Sequence, residues 1–390
     1  MPQSVLLAHP SGELYGSDRV LVETVAGLVE AGWDVVVAIP GTGPLVALLV
    51  DAGATVVMVP TPVLRKAHLS PVGLARLVGA TAAALGPSLR VLRRARPSAV
   101  VVNTITVPLW SVLARLSRVP VVWHVHEAEG SARPLVRRLL ALPLHLAARI
   151  VCNSEFSRAV LVSSAPRLAA RCEVVHNGVP GPAAPALPRA DLAGSVRLLY
   201  LGRLSERKGV DVAVEAAARL RDRGTDVRLD VVGAVFAGYE WYEERLHRLV
   251  HERGLDAVVT FHGFDPDVWG HLARADVLLV PSLVDEPFGN TAVEGALAAR
   301  PVVASATSGL LEATAGMRTA RTVTPSDPDA VADAVAELMA GWDRVRVDVV
   351  LDRDRARTLY SPGTYARRMA DLVAGVTGPP RTPDRGGPGG

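Results

Sequence analysis

Residues 196–221 read VRLLYLGRLSERKGVDVAVEAAARLR. Val196–Leu201 is an almost continuous apolar run, the pattern of a strand buried on both faces. Residues 210–221 carry helical periodicity, and a polar, glycine-bounded turn joins the two. Strand, turn and helix in this order form half of a βαβ unit, and the motif recurs in both directions along the chain.

Toward the C-terminus, strands are expected at 228–232, 258–261, Val277–Val280 and 302–304. Helices are expected at 242–253 and 291–298, with two more around 330–339 and 363–374. Toward the N-terminus, Ser4–Ala8, Asp34–Ile39, 55–59, Ala99–Val102, 119–125, Arg149–Cys152 and 173–175 read as strands. Residues 19–30, 45–51, 71–94 and 155–162 read as helices. β-Branched runs without polar alternation are the signature of parallel α/β sheets.

A single core seldom grows past about 250–300 residues, so a chain of 390 calls for two domains. The joint is visible at 177–191, NGVPGPAAPALPRAD, whose prolines and glycines exclude a regular element. The expected domains are 1–180 and 196–361, with a linker at 181–195. A helix at 362–377 is expected to pack back toward the first domain, ahead of a disordered Pro/Gly/Arg-rich tail at 378–390. In such sheets ligands bind beyond the carboxyl ends of the strands, so the cleft between two halves is the natural site.

Hydrophobic content of 49% is that of a globular chain, and a net charge of +3 does not argue for nucleic acid. Two cysteines, Cys152 and Cys172, make neither a disulfide framework nor a zinc pattern. The start, MPQSVLLAHP, lacks the features of a signal peptide, and no run of about 18 apolar residues marks a spanning helix. A cytoplasmic protein, soluble or peripheral at the inner face of the membrane, is expected. Arg90, Arg93, Arg94 and Arg96 close one helical pattern, and Arg133, Arg137 and Arg138 open another. They read as solvated helix faces, or as a surface of the N-terminal domain for anionic lipid or a lipid-phosphate acceptor.

Arg203 and Lys208 sit where a strand ends and a helix begins, a place that favours a phosphate. Two cations there neutralise a departing diphosphate. A polar strand-to-helix turn is the plainer reading, and Lys208 separates the two. Of 42 basic residues only Lys66 and Lys208 are lysines. A compact ammonium suits a point contact to one phosphate oxygen.

Residues 285–295 read DEPFGNTAVEG. Pro287 holds Glu286 extended, and Gly289 permits close backbone approach. Asn290 is the expected N-cap of a helix starting at Thr291, whose first amides suit an anion. Glu294, one turn in, suits a ribose diol, and Glu286 in front of it suits sugar hydroxyls. A capped helix with a dipole-paired carboxylate explains Asn290 and Glu294, but not an acid before Pro-Phe-Gly.

Together GRLSERKG and EPFGNTAVEG resemble the family 4 retaining glycosyltransferases of the two-domain GT-B type. Glu286 and Glu294 have the family's Glu-x7-Glu spacing. Further resemblances follow in order: LYGSDR at 14–19, PVVWHVHE at 120–127, VVHNGV at 174–179 and ARADVLLVPS at 273–282. The resemblance implies a GT-B fold, two Rossmann-like parallel-sheet domains facing a central cleft. It implies that Gly202, Arg203 and Lys208 hold the donor diphosphate and that Glu294 holds ribose. Glu286 would orient the transferred sugar with backbone groups of Phe288, Gly289, Asn290 and Thr291. Gly16 and Ser17 would form a loop facing donor and acceptor. His126 matches the family's strand-end histidine by the donor sugar, with His124 two residues earlier and on the same side of the strand. The implied partners are a nucleotide-diphosphate sugar and a glycan, lipid-linked or small-molecule acceptor. No metal or other cofactor is implied, and the alternative is a catalytically silent sugar-nucleotide-binding protein of the same fold.

Asp265-Pro266-Asp267 reads as a turn opening a helix rather than a metal site. Gly41-Thr42-Gly43 runs into Pro44 without a third glycine, which argues against a dinucleotide oxidoreductase. Two segments depart from the family pattern. Residues 234–246, AVFAGYEWYEERL, are long and aromatic; Tyr239, Trp241 and Tyr242 line a pocket or pack a helix. Residues 308–312, SGLLE, keep one glycine where the family has a glycine-rich loop.

Overall fold

The computed structural model describes residues 3–13, 16–64, 68, 70–127, 130 and 133–378. Leu14 and Tyr15 of the LYGSDR segment, Lys66 and the tail from 379 lie outside the described residues. The chain divides into two compact units, Met1–Gly178 with Pro362–Gly390, and Val179–Ser361.

The first unit contains β1 (Ser4–Ala8), α1 (Gly16–Glu30), β2 (Asp34–Ile39), α2 (Pro44–Asp51), β3 (Thr55–Met58), α3 (Pro71–Ala95) and β4 (Ala99–Val102). It continues through α4 (Leu109–Leu116), β5 (Val121–Val125), α5 (Pro134–Ala141), β6 (Arg149–Cys152), α6 (Glu155–Ser164) and β7 (Cys172–Val174). Its sheet has the order β3-β2-β1-β4-β5-β6-β7, every pair parallel. The order reverses between β1 and β4, which makes their carboxyl ends a topological switch point. All four residues of β4 are buried, as a central strand covered on both faces requires.

The second unit repeats this plan. It contains β8 (Val196–Leu201), α7 (Val210–Asp222), β9 (Val227–Val232), α8 (Glu240–Glu252), β10 (Val259–Gly263), α9 (Val268–Arg274) and β11 (Val277–Val280). It ends with α10 (Asn290–Leu297), β12 (Val302–Ser305), α11 (Ser308–Thr314), β13 (Arg321–Val323), α12 (Pro328–Ala340) and α13 (Trp342–Leu359). The sheet order is β10-β9-β8-β11-β12-β13, all parallel, with the reversal between β8 and β11. A Cβ on Gly295 would stand 2.6 Å from Leu278, so the glycine sets how closely α10 lies on the sheet.

The last helix, α14 (Pro362–Thr377), packs on α1 in the first unit. Gly27 allows the contact, because a Cβ there would lie 2.4 Å from that of Ala366. Thr24 and Tyr365 share a 2.6 Å hydroxyl hydrogen bond across it. The proline-rich segment has no regular element and is fastened to the second unit. Arg189 pairs with buried Asp276 at 2.5 Å, and the Trp342 indole donates to the Arg189 carbonyl. Arg300, buried in the same unit, donates to the carbonyls of Ala186, Leu272 and Ala273. Burial brings its pKa down to about 10.

α4 and three further elements go beyond the sequence reading. β13 is only three residues long, at the edge of its sheet. α11 occupies the expected glycine-rich loop. α13 buries Trp342, Val345, Asp348, Val349, Asp352 and Ala356, so two carboxylates stand on its covered face. Asp352 accepts from the amides of Arg318 and Thr319 at 2.8 Å each, which is why a charged helix can be covered there.

Among the described residues, α3 alone is long and apolar enough to cross a membrane, by length and composition only. Val72, Leu74, Val78 and Leu85 on it are exposed. Arg76 and Pro87 interrupt the apolar run in the sequence without ending the helix, which is why no such stretch was visible there.

Candidate functional site

In the second unit the candidate residues gather at the carboxyl ends of β8 and β11, on either side of the switch point. β8 is followed by Gly202, whose φ of 149° favours glycine. Its amide donates to the Val232 carbonyl. Gly233 also has a positive φ, and a Cβ there would fall 1.8 Å from the Gly202 carbonyl oxygen. The two strand ends touch through backbone alone.

Arg203 follows. Its carbonyl accepts from the buried Tyr200 hydroxyl at 2.8 Å, and its guanidinium lies 3.6 Å from the centre of the Phe236 ring. The aromatic loop therefore supplies a platform for Arg203, but through Phe236 and not through the three aromatics the sequence drew attention to. Tyr242 is buried against the core, while Tyr239 and Trp241 are exposed.

Glu206–Lys208 forms one 3₁₀ turn. Gly209 closes it with φ 67°, and a Cβ there would lie 2.0 Å from the Pro281 carbonyl oxygen. The turn is thereby pressed against the end of β11. The consequence is an ion pair: Lys208 Nζ stands 2.8 Å from Glu286 Oε1. Ser282 Oγ donates to the same oxygen at 2.8 Å. The Lys208 side chain is 30% exposed and that of Glu286 11%, so the carboxylate is largely covered and the ammonium faces outward.

α10 begins at Asn290 with Gly289 as its N-cap, one residue earlier than expected. Asn290 is thus the first helical residue, and no side-chain bond caps the helix. The first backbone bond of the helix runs from Val293 N–H to the Gly289 carbonyl at 3.1 Å. The amide dipoles of Asn290, Thr291 and Ala292 point out of the end beside the Lys208–Glu286 pair's loop. Phe288 turns inward and meets the Tyr360 ring edge-on at 5.5 Å, so only its backbone is available to a ligand. Glu294 is half-buried, one turn into α10.

The lone glycine of SGLLE has a task. A Cβ on Gly309 would stand 2.1 Å from the Glu286 carbonyl oxygen and 2.8 Å from the Phe288 nitrogen. α11 thus braces the Glu286–Phe288 loop from below. Asp265 and Asp267 are spent on structure. Asp267 caps α9 by accepting from Gly270 N–H, and Asp265 accepts from Asp267 N–H and bonds His271.

The first unit brings its candidates to the switch point between β1 and β4. Gly16 and Ser17 are the first two residues of α1, and their side chains lie outside the described residues. His124 and His126 stand on the same side of the β5 end, with ring centres 3.8 Å apart. Each has one ring nitrogen 3.1 Å from Asn103 Oδ1. His124 is fully buried and also faces the Tyr365 ring; His126 retains 9% exposure, which makes it the more accessible of the two. Burial holds both rings neutral: the His126 pKa falls to about 3, and His124 lies well below the ordinary value. Glu127 accepts from the amides of Ile105 and His126 and from the Thr104 hydroxyl, and burial raises its pKa.

Three residues the sequence reading passed over belong to these sites: Asn103, His9 and Phe236; Gly309 it noticed only as the glycine that remained. The first two are polar residues set directly after the apolar runs of β4 and β1, a signal that was present but not read.

A family model for glycosyl transferases group 1 matches residues 193–348, and one for Glycosyltransferase Family 4 matches residues 15–180. A GDP-mannose-dependent alpha-(1-6)-phosphatidylinositol monomannoside mannosyltransferase of Mycobacterium tuberculosis is 31% identical over 67% of this chain and 71% of its own length. A D-inositol 3-phosphate glycosyltransferase of Arthrobacter sp. is 32% identical over 67% of this chain and 65% of its own. Among solved structures, Anabaena Alr3699/HepE in complex with UDP and glucose superposes with a TM-score of 0.79 at 20% identity, covering 95% and 99% of the two chains. With both units built on the parallel sheets described above, the chain belongs to the family 4 glycosyltransferases of GT-B type.

Proposed function

We propose that this glycosyltransferase moves a hexose from a nucleoside-diphosphate sugar to an acceptor hydroxyl with retention of anomeric configuration and without a metal ion. The observation that carries this reading is the Lys208–Glu286 pair at 2.8 Å, beside Arg203 and the N-terminus of α10. An ammonium, a guanidinium and a helix end at one switch point suit a diphosphate whose charge grows as it leaves. The bond between the anomeric carbon and the β-phosphate oxygen breaks, and the acceptor oxygen bonds to that carbon on the same face. The acceptor proton passes to the departing phosphate oxygen, so no enzymic nucleophile is needed. Glu286 passes from its pairing with Lys208 to the sugar hydroxyls, and Glu294 holds the ribose. His126, at the switch point of the first unit, is the residue offered to a substrate hydroxyl.

GDP-mannose is the first donor to try, because the mycobacterial relative is named for it. A lipid-linked acceptor follows from the same name and from α3, whose exposed apolar side chains precede Arg90, Arg93 and Arg94. The protein then works at the inner face of the membrane. Sedimentation with anionic vesicles, lost on exchanging those three arginines for glutamate, tests this. Equal binding by the variant contradicts it.

The transferase reading is tested by donor turnover. Lys208→Ala is expected to lower kcat by about 10²–10³-fold, as removal of one group that stabilises developing negative charge does. Glu294→Ala is expected to weaken donor affinity. Unchanged turnover in both removes the site assignment. Absence of hydrolysis and transfer across nucleotide sugars would instead support the silent sugar-nucleotide-binding protein.

A further inference from the structure

Five buried polar side chains in the first unit form one hydrogen-bonded chain that neither phosphate binding nor packing explains. Asp18, in the first turn of α1, lies 2.8 Å from His9 Nε2. His9 Nδ1 lies 3.1 Å from Asn103 Nδ2, and Asn103 Oδ1 lies 3.1 Å from both His124 Nδ1 and His126 Nε2. The chain links residues just beyond β1, β4 and β5 to the start of α1 at the switch point.

The chain has a direction. Asn103 turns its Nδ2 toward His9 Nδ1, so that ring nitrogen accepts and His9 Nε2 carries the hydrogen that meets Asp18. Asn103 is thereby committed to donating on this side. Oδ1 is left facing the two β5 histidines, and both must donate to it. His124 is therefore the Nδ1–H tautomer and His126 the Nε2–H tautomer. Their remaining nitrogens, His124 Nε2 and His126 Nδ1, are buried and have no hydrogen-bond partner among the described residues. With the opposite amide orientation these two would be unpaired N–H donors, which proteins tolerate less well than unpaired acceptors.

We propose that Asp18, His9 and Asn103 are positioning residues that lock His126 as the Nε2–H tautomer, leaving Nδ1 as a fixed acceptor for a substrate hydroxyl. The proposal rests on the transferase reading only for what Nδ1 meets; the tautomer itself does not depend on it. The titratable groups around the His126 ring are His9, Asp18 and His124, with Glu127 on its backbone amide; Tyr365 of α14 faces His124, and Glu23 of α1 lies near Tyr365. With the ring neutral down to about pH 3, the acceptor persists through the whole working range.

The test is ring ¹⁵N spectroscopy of the full-length, histidine-labelled protein without donor, followed by pH–rate profiles. The expected wild-type result is a protonated Nε2 and bare Nδ1 at His126, the reverse at His124, and no titration of either between pH 5.5 and 8. A His126 found as Nδ1–H, as a mixture, or as imidazolium at pH 7 overturns the proposal, whatever the enzyme turns over. Asn103→Asp places a carboxylate against both rings and stabilises their cations, so an acid limb in kcat is expected to enter that pH range. Asp18→Asn is expected to mix the tautomers and lower kcat by at least about tenfold, the scale seen when a histidine loses its orienting partner, while KM for the donor stays within twofold. Restoration by Asp18→Glu distinguishes orientation from general damage. Loss of the locked tautomer in Asp18→Asn with unchanged kcat also overturns the positioning role. If Asn103→Asp does not fold, the wild-type spectrum and the Asp18 variants still decide.

Discussion

The two units share one plan, a parallel sheet whose order reverses at a central pair of strands, and they fill that switch point in opposite ways. In the second unit it holds Arg203, Lys208 and Glu286, of which the two cations are partly open to water. In the first it holds Asn103 and three histidines, all at least nine-tenths buried, with Asp18 the carboxylate that ends the chain. A phosphate needs full charges that can exchange a protein partner for a ligand, and partial exposure makes that exchange inexpensive. A sugar hydroxyl needs a neutral acceptor of fixed direction, which burial and a one-way hydrogen-bond chain provide.

The contrast can be broken most forcefully from the charged side. Glu286→Gln removes the partner of Lys208 and the acceptor that we propose for sugar hydroxyls. A loss of about 10²-fold in kcat/KM is expected, with little change in stability. Equal activity would mean that the pair is only a surface ion pair.

Gly309→Ala comes next. The added methyl must move the Glu286–Phe288 backbone, since it would sit 2.1 Å from the Glu286 carbonyl. A destabilisation of about 1–3 kcal/mol is expected, measured by denaturant unfolding, with a larger fall in donor affinity than in acceptor affinity. Phe236→Ala should cost less, a rise of about three- to tenfold in donor KM from loss of the ring beneath Arg203, with Phe236→Trp restoring it.

On the neutral side the effect is on acid stability. His126 has a folded pKa of about 3 and an unfolded value near 6.5. Between these the unfolded state binds more protons, so its contribution is complete above pH 6.5 and declines as pH falls toward 3. The slope is about 1.4 kcal/mol per pH unit for each such ring, and His124 adds in the same direction. Glu127, raised by burial, acts oppositely just above its ordinary value of 4.5, where the folded state holds the extra proton. Unfolding against urea at pH 7, 6 and 5 should show falling stability. Exchange of both histidines for glutamine should flatten the trend.

How far each region could be read from the chain follows the same division. Strands such as Ala99–Val102 and Val277–Val280 stand out because a central parallel strand is apolar on both faces. β13 was not legible because its three residues, one exposed, carry no such pattern. α13 was not legible because Asp348 and Asp352 stand on its covered face. The charged site was legible because GRLSERKG and EPFGNTAVEG each place their chemistry within one strand-to-helix turn. The neutral site joins residues 9, 18, 103, 124 and 126, and only the order of strands in the sheet brings them together. Phe236 was missed, and the task of Gly309 was not read, for a related reason: each acts on a segment remote from it in the chain.

The claim on which the rest depends is that the β8–β11 switch point binds a nucleoside diphosphate. Thermal unfolding of the wild type and Lys208→Ala, with GDP and UDP each near a hundred times its dissociation constant, measures this directly. At that ratio the better ligand should stabilise the wild type by about 2.7 kcal/mol, and at the same concentration the shift should largely vanish in Lys208→Ala. No shift with either nucleotide, or the same shift in both proteins, would contradict it.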